Sequence, residues 1–388
     1  MDSIIDRFEG MYLSDDLRSY DPYDIWKTTV GLRIKMTFNS SRLAGAVPAL
    51  ILSLGDSFFN ETLRNIYVKQ EFPIVRALAC QILLNRYAKS GDDSLLKAAE
   101  NHLAWLYANV SKGYAGTCWG LGFKWPAAEN VIYSANTPHT THSPYALEAF
   151  HLHKQIVRHS EYEDFVRRSF EFYEKDVQIM YEDETMMATS YGPMKDRIAT
   201  NAVSYVMYAY SILLSYLPEK QDHIKTKIVK LYKFIENKQL ENGSWYYIPD
   251  NKDSFIDCFH SCFILKNILK SQKVIDLPGA DVIVKKGYEF LCNNFYEEKW
   301  GLYKRFAKAN KLSLVKFDLY DNAEMLRLTY MLRDKGRQTS LDLAIKRHFI
   351  DDIDIYSTID WLGMKRNRNT LRWAVMPYLH TLSMLENP

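Results

Sequence analysis

The sequence predicts an all-α fold, an (α/α)6 toroid in which helical hairpins form two concentric layers with short β-hairpins in the loops. Three observations predict it. Apolar residues recur at i, i+3, i+4 and i+7 along most of the chain, the period of a helix that buries one face. An aromatic–glycine turn recurs at Trp119-Gly120, Tyr191-Gly192, Gly243-Ser244-Trp245, Trp300-Gly301 and Trp361-Leu362-Gly363, with successive aromatics 72, 54, 55 and 61 residues apart. Each turn leads through a polar stretch into an apolar helix, so the repeating unit is one helical hairpin. Five units plus the N-terminal helices make about six hairpins. A closed ring buries the end faces that an open solenoid exposes, and one domain is expected over residues 1–388.

The first hairpin pairs residues 73–88 (PIVRALACQILLNRYA) with 93–109 (DSLLKAAENHLAWLYAN). Between them KSGDD supplies a basic residue at a helix end, a glycine beyond it and an aspartate cap. Further helices are expected over 145–158, 160–181, 200–216, 221–239, 255–270, 281–295, 322–334, 338–348 and 377–386, with a short strand at 245–248. In a ring of hairpins the inner helices share one direction. The turns before them therefore gather on one face, around the mouth of a single cavity.

Composition excludes several classes. The chain has 388 residues, 47% hydrophobic, with net charge +2, which provides no basic stripe for nucleic acid. The start, MDSIIDRFEGMYLSDD, lacks the pattern of a signal peptide, and the apolar run Ala44 to Leu54 is short for a membrane span. A cytoplasmic protein with no transmembrane segment is expected. The five cysteines (80, 118, 258, 262, 292) read as reduced thiols. Cys258 and Cys262 share a helix face without further ligands of zinc spacing, so neither metal nor cofactor is expected. No P-loop, dinucleotide fingerprint, nucleophile elbow or H-E-x-x-H is present. The Asp-rich DDIDI at 351–355 falls among helix ends, which weakens a prenyl or terpenoid reading. The outlier is aromatic content, 14% with 27 Tyr and 8 Trp, much of it in turns.

The loops carry the candidate chemistry. In ENGSWYYIPDNKDSFIDCFHSC, Ser254-x-x-Asp257 has the spacing of a helix cap. His260 lies on the same face as Asp257, within reach of its carboxylate. Trp245 and Tyr247 are either core or a platform for a sugar ring. In TPHTTHSPY, Ser143-Pro144 starts a helix, leaving His139 and His142 in the loop behind Trp119 and Trp125, with Tyr145 following. Both imidazoles suit acid–base work. The third loop offers Tyr191, Asp196, Arg197 and Asn201; the guanidinium suits a carboxylate, or pairs with Asp196. The fourth holds Asp318, Tyr320 and Asp321, with Asp321-x-x-Glu324 a second capping box. The fifth holds Asp360, Trp361, Arg366, Arg368 and Arg372.

Residues Gly243 to Leu265 resemble the pattern of VpsJ-like proteins, toroid-type proteins of bacterial surface-polysaccharide gene clusters. The matching positions are Trp245, Tyr247, Asp257 and His260. The segment from Trp119 to Phe150 is similar too, through its Trp-rich loop, Thr137-Pro138 and ALEAF. The resemblance covers about half the chain and implies a role in polysaccharide assembly. A more distant similarity runs to glucuronyl C5-epimerases and toroid lyases, which move a proton beside a carboxylate with Tyr and His; the motif order differs here.

Two classes of function follow. One is an enzyme that epimerises, eliminates or hydrolyses a uronate-containing glycan or its lipid-linked precursor. Proton transfer would draw on His260, His142, His139 and Tyr191; hydrolysis would need two carboxylates among Asp196, Asp257, Asp318 and Asp321. The other is a non-catalytic glycan-binding or scaffold subunit. In both, Trp119, Trp125, Tyr145, Arg197, Asn201, Trp245, Tyr247, Tyr320, Trp361 and Arg368 are candidate sugar contacts.

Overall fold

The computed structural model describes residues 6, 8, 10, 11, 13, 16–128, 131–158, 161–310, 313–352 and 354–385. Most of the segment read for a signal peptide and the last residue of the predicted helix 377–386 lie outside these. Six apolar helices form the inner wall: α3 (Pro73–Ser90), α5 (Ser143–Val157), α6 (Thr200–Leu213), α8 (Cys258–Ser271), α10 (Leu319–Met331) and α12 (Met376–Leu385). Each packs on the next, and α12 returns to α3, so the ring closes as predicted. Every residue of α6 is buried, as expected of a helix apolar all round and enclosed by neighbours.

The outer layer is amphipathic. Helices α4 (Asp93–Ala108), α7 (Gln221–Asn237), α9 (Ala280–Asn294) and α11 (Lys335–Phe349) each pack on the inner helix before them in sequence. KSGDD does what its residues dictate: Gly91 takes a left-handed φ of 67° to end α3, and Asp92 accepts from the Ser94 amide at 2.9 Å to open α4. Trp119 and Trp245 staple the layers together. Their indole N–H groups donate to the carbonyls of Leu106 on α4 and Ile235 on α7, each at 2.9 Å.

Three expectations are corrected. The helix predicted over 160–181 breaks into Glu163–Arg167, Ser169–Glu171 and a π-helical turn at Phe172–Asp176. Its last residues become a strand, Ile179–Glu182, which pairs with Met187–Thr189. Apolar spacing at Phe165, Phe170, Phe172 and Tyr173 is kept through the break because all four still point into the core. No strand forms at 245–248; Tyr247 bonds singly to Phe255 and to Thr200 of the preceding unit. DDIDI lies in a sheet instead, with its Ile353 outside the described residues. There Ile350–Asp351 and Lys365–Arg368 flank Asp354–Asp360, which also pairs with Val315–Asp318.

The lower half of the ring is filled by a buried ion cluster. Lys270 bonds Glu148 and Lys266 bonds Glu324, each at 2.5 Å, while Arg327 donates to His380 Nδ1 at 2.7 Å. The opposite end, the mouth of the ring, carries the turns before the inner helices. Beside it stands a helical hairpin, α1 (Thr29–Ser40) and α2 (Arg42–Leu63), which turns at Ser41 and lies largely outside the ring.

Candidate active site at the mouth of the ring

The segments that precede α5, α6, α8, α10 and α12 gather on one face. Side chains from all of them meet there.

The loop before α5 brings His139 and His142 together, ring centroids 5.4 Å apart. His139 is 2% exposed, edge-on to Tyr133 at 4.7 Å and to Tyr191 at 5.5 Å. Burial, with the Arg197 charge, pushes it down to about 3. Burial, then His139 and Arg372, holds His142 well below the usual imidazole range. Both rings are neutral at physiological pH. Helix α5 begins at Ser143, whose hydroxyl accepts from the Trp119 amide at 3.0 Å.

The loop before α6 is tied to the first: Thr140 donates its amide and its hydroxyl to the Tyr191 carbonyl. Asp196 accepts from the Tyr133 hydroxyl at 2.7 Å. Arg197 lies over Tyr191 at 4.9 Å and near Trp125 at 5.7 Å. It is only 3.7 Å from Asp196 by its closest nitrogen, and its buried Nε and Nη2 make no hydrogen bond. A buried donor without an acceptor is costly, on the order of 1–3 kcal/mol, and a guanidinium more. The ion-pair partner of Arg197 is the Asp196 carboxylate, too far for a hydrogen bond. Asn201, on the first turn of α6, also has a buried carbonyl oxygen without a partner.

The third loop corrects the capping assignments. Ser254 accepts from the Ile248 amide, and Asp257 caps nothing. Both Asp257 oxygens face His260 Nδ1, at 2.9 and 2.8 Å. A carboxylate there fixes the Nδ1–H tautomer and leaves the Nε2 lone pair for a substrate proton. The cap of α8 comes from a neighbouring helix: the Phe259 amide donates to Asp321 Oδ1 at 2.8 Å. Tyr247 stacks on Phe255 at 4.6 Å and lies 4.7 Å from the His260 ring.

Nor does Asp321-x-x-Glu324 form a capping box. Asp318 caps α10 through the Tyr320 amide at 2.9 Å, and Glu324 belongs to the ion cluster below. Asp318 also accepts from Arg305 at 2.7 Å and from the Trp373 indole at 2.9 Å. Burial, then the Asp318 charge, pushes Asp321 well above the carboxylate range. Tyr320 stacks on Trp373, 4.8 Å apart and 15° from parallel, and Arg372 is paired with Asp21.

The structure thus brings His139, His142, Tyr191, Asp196, Arg197, Tyr247, Asp257, His260, Asp318 and Tyr320 to one mouth, with Trp125 beside them. Five predicted contacts are placed elsewhere. Trp119 and Trp245 are core, at 0% and 3% exposure, so no sugar reaches their faces. Trp361 is on the outer surface, its indole bonded to the Ser313 carbonyl, and Arg368 pairs there with Glu61 and Asp354. Tyr145 is deeper, bonded to the Tyr205 hydroxyl at 2.8 Å above the ion cluster. Sequence reasoning missed Arg305, Trp373 and Asp21. The signal for Arg305 was its place four residues beyond the Trp300-Gly301 turn; Asp21 precedes the first repeat and had none.

No protein-family model matches the chain, and no curated protein shows detectable similarity. Solved structures match its fold. Cellobiose 2-epimerase from Bacillus thermoamylovorans superposes with a TM-score of 0.62 at 14% identity, covering 81% of this chain and 87% of that one. A D-mannose isomerase gives 0.58 at 14% identity over 81% and 87%. The GH76A α-1,6-mannanase of Salegentibacter sp. HEL1_6 gives 0.54 at 9% identity over 81% and 89%. At these identities the likeness establishes the toroid fold: this chain is built as an (α/α)6 ring like those three carbohydrate-active proteins.

Proposed function

We propose that this protein is a carbohydrate-modifying enzyme that moves a proton on a uronate-containing glycan, an epimerase or lyase rather than a hydrolase. The observation that carries the reading is the Asp257–His260 pair opening on the same mouth as a buried guanidinium with unused donors. A hydrolase needs two carboxylates free to act on sugar and water. Here Asp257 holds His260, Asp196 holds Tyr133, Asp318 holds Arg305 and Trp373, and Asp321 holds the Phe259 amide. Each of the four acids already accepts a hydrogen bond, although Asp196 Oδ1 and Asp321 Oδ2 have no partner, and His260 gives only Nδ1 to Asp257 and keeps Nε2 for substrate.

In this reading Arg197 receives the sugar carboxylate and Tyr247 and Trp125 flank the ring. His260 Nε2 takes the proton from the carbon next to the carboxylate, and the electron pair moves into the carboxylate, held by Arg197. His142, neutral, donates a hydrogen bond to the developing oxyanion, as a neutral imidazole does without titrating. For epimerisation, the Tyr191 hydroxyl returns a proton to the opposite face, its phenolate sheltered by Arg197, so the product is an isomer of the substrate. For elimination, the electrons instead expel the neighbouring glycosidic oxygen, which takes up a proton and leaves an unsaturated sugar. The resemblance to VpsJ-like proteins supports surface-polysaccharide assembly as the setting, and the folds of sugar epimerases support the chemistry. Separate His260→Ala and His142→Ala variants, assayed on a uronate polymer for epimer ratio and ultraviolet absorbance, test it. Loss of turnover with retained glycan binding is expected. Turnover surviving both changes overturns the proton-transfer reading, and wild-type binding without turnover points to the glycan-binding subunit.

A further inference from the structure

The α1–α2 hairpin is the least explained part of the molecule. Its base is tied to the mouth: Arg366 bonds the Ser57 carbonyl and covers Phe58, Tyr67 bonds Asp56 at 2.7 Å, and α1 packs on strand Trp125–Ala128. Its outer half touches little. Leu43 is 94% exposed, Val47 63%, Leu50 51% and Ile51 65%, and Phe58 and Phe59 extend the same apolar band toward the mouth. Spacings of four, three, one and seven along 43, 47, 50, 51 and 58 place these side chains along one face of α2. Val30 and Met36 on α1 are exposed too. An apolar patch this continuous marks a docking surface.

Charge selects the occupant. Between Asp24 and Asp56 there is no acidic residue, while Lys27, Arg33, Lys35 and Arg42 are all basic, in a chain otherwise nearly balanced. Lys27 is neutralised by Asp21 and Asp24 at the base. Arg33 and Arg42 are exposed, Arg42 at the tip, and Lys35 lies against Trp26. A second copy docked face to face would set these cations against each other. An anionic bilayer complements both the charge and the apolar band. Helix α2, at 22 residues, is long and apolar enough by length and composition to cross a bilayer. Its charge-free run, residues 43–55, is however about 20 Å long as a helix, against a hydrocarbon core of about 30 Å, which favours seating at the surface over spanning.

We propose that the α1–α2 hairpin seats the protein on an anionic membrane surface, inserting Leu43, Val47, Leu50 and Ile51 into the headgroup–acyl boundary while Arg33 and Arg42 engage lipid phosphates. Because the hairpin is rooted beside Trp125, docking brings the mouth to the bilayer, where a lipid-anchored glycan would be presented; this last point alone rests on the proposed function.

Co-sedimentation of the full chain with phosphatidylglycerol-containing vesicles, against pure phosphatidylcholine vesicles, tests the proposal. Binding is expected on anionic vesicles, weakened by salt and reduced about tenfold or more in Leu43→Asp/Ile51→Asp, whose exposed sites leave folding intact. Arg33→Glu/Arg42→Glu should lose the preference for anionic lipid. Light scattering after gel filtration supplies the competing outcome. A dimer abolished by Leu43→Asp/Ile51→Asp, with no vesicle binding by the wild type, overturns the proposal in favour of self-association. Vesicle binding unaffected by both double variants overturns it as well. Neither result depends on whether the mouth is catalytic.

Discussion

Helix α8 offers a sharp test, because its first turn is held by a residue 62 positions away. Asp321→Ala removes the acceptor of the Phe259 amide and leaves that buried donor unpaired. Loss of a cap costs about 0.5–2 kcal/mol, and an orphaned buried amide about 1–3 kcal/mol. These describe the same lost bond, so the expected cost is about 1–2 kcal/mol, or roughly 1–2.5 °C in melting temperature for a chain of this length. Asp321→Asn keeps the acceptor oxygen and removes the titration. The folded-state pKa of Asp321 is raised, so its protonated form contributes stability that is fully present below the ordinary carboxylate range. That contribution is lost as pH rises through the raised value. At neutral pH Asp321→Asn should therefore match or exceed the wild type, with the wild type gaining on it as pH falls. Asp257→Ala, which removes no cap, should stay within about 1 kcal/mol of the wild type while abolishing turnover. Circular dichroism melts of the three variants across pH provide the measurement. If Asp257→Ala destabilises the fold as much as Asp321→Ala, the capping assignment is wrong.

Other consequences can be checked together. Arg197→Met should raise KM for an acidic glycan about 10- to 100-fold while leaving neutral-sugar binding unchanged, since one charge-assisted contact contributes about 1.5–3 kcal/mol. Isothermal titration with paired acidic and neutral oligosaccharides reads this out. Glu148 is held at about 2 through Lys270, despite its burial. The lowered value means its contribution is present above pH 4.5 and lost as pH falls toward 2, while burial lowers its partner Lys270 to about 7. Glu148→Gln should be less stable at neutral pH and show a flatter acid limb in urea titrations. Trp361→Ala and Arg368→Ala should leave turnover within about twofold, because surface groups remote from the mouth make no contact that strengthens in the transition state.

The ring was legible in the sequence because its repeating unit is long and its punctuation is physical. Glycine beyond α3, the Asp92 cap and the apolar faces of α3, α6 and α8 all point to the same hairpins. The convergence of the loops followed from closure alone. What was not legible depends on partners distant in sequence. Ser254-x-x-Asp257 has the spacing of a cap, yet Asp321 performs that role from the next inner helix. Trp119 and Trp245 looked like sugar platforms, but their indole N–H groups bind outer-helix carbonyls, and a repeated Trp serving the same staple twice is a structural signal. Arg197 could not be separated by sequence from its neighbour Asp196; the structure keeps them as an ion pair at 3.7 Å that leaves Nε and Nη2 without hydrogen bonds. The N-terminal hairpin was hidden for the opposite reason. Apolar periodicity reports an amphipathic helix whether its face meets a core or stays bare.

The central claim is proton transfer by His260, and solvent exchange tests it most directly. The wild-type protein is incubated with a uronate-containing glycan in D2O and the sugar C–H signals are followed by NMR. The account predicts deuterium at the carbon beside the carboxylate, or in an elimination the loss of that C–H, with either change abolished in His260→Asn. Cleavage of the glycan with that C–H intact, or exchange undiminished in His260→Asn, would contradict it.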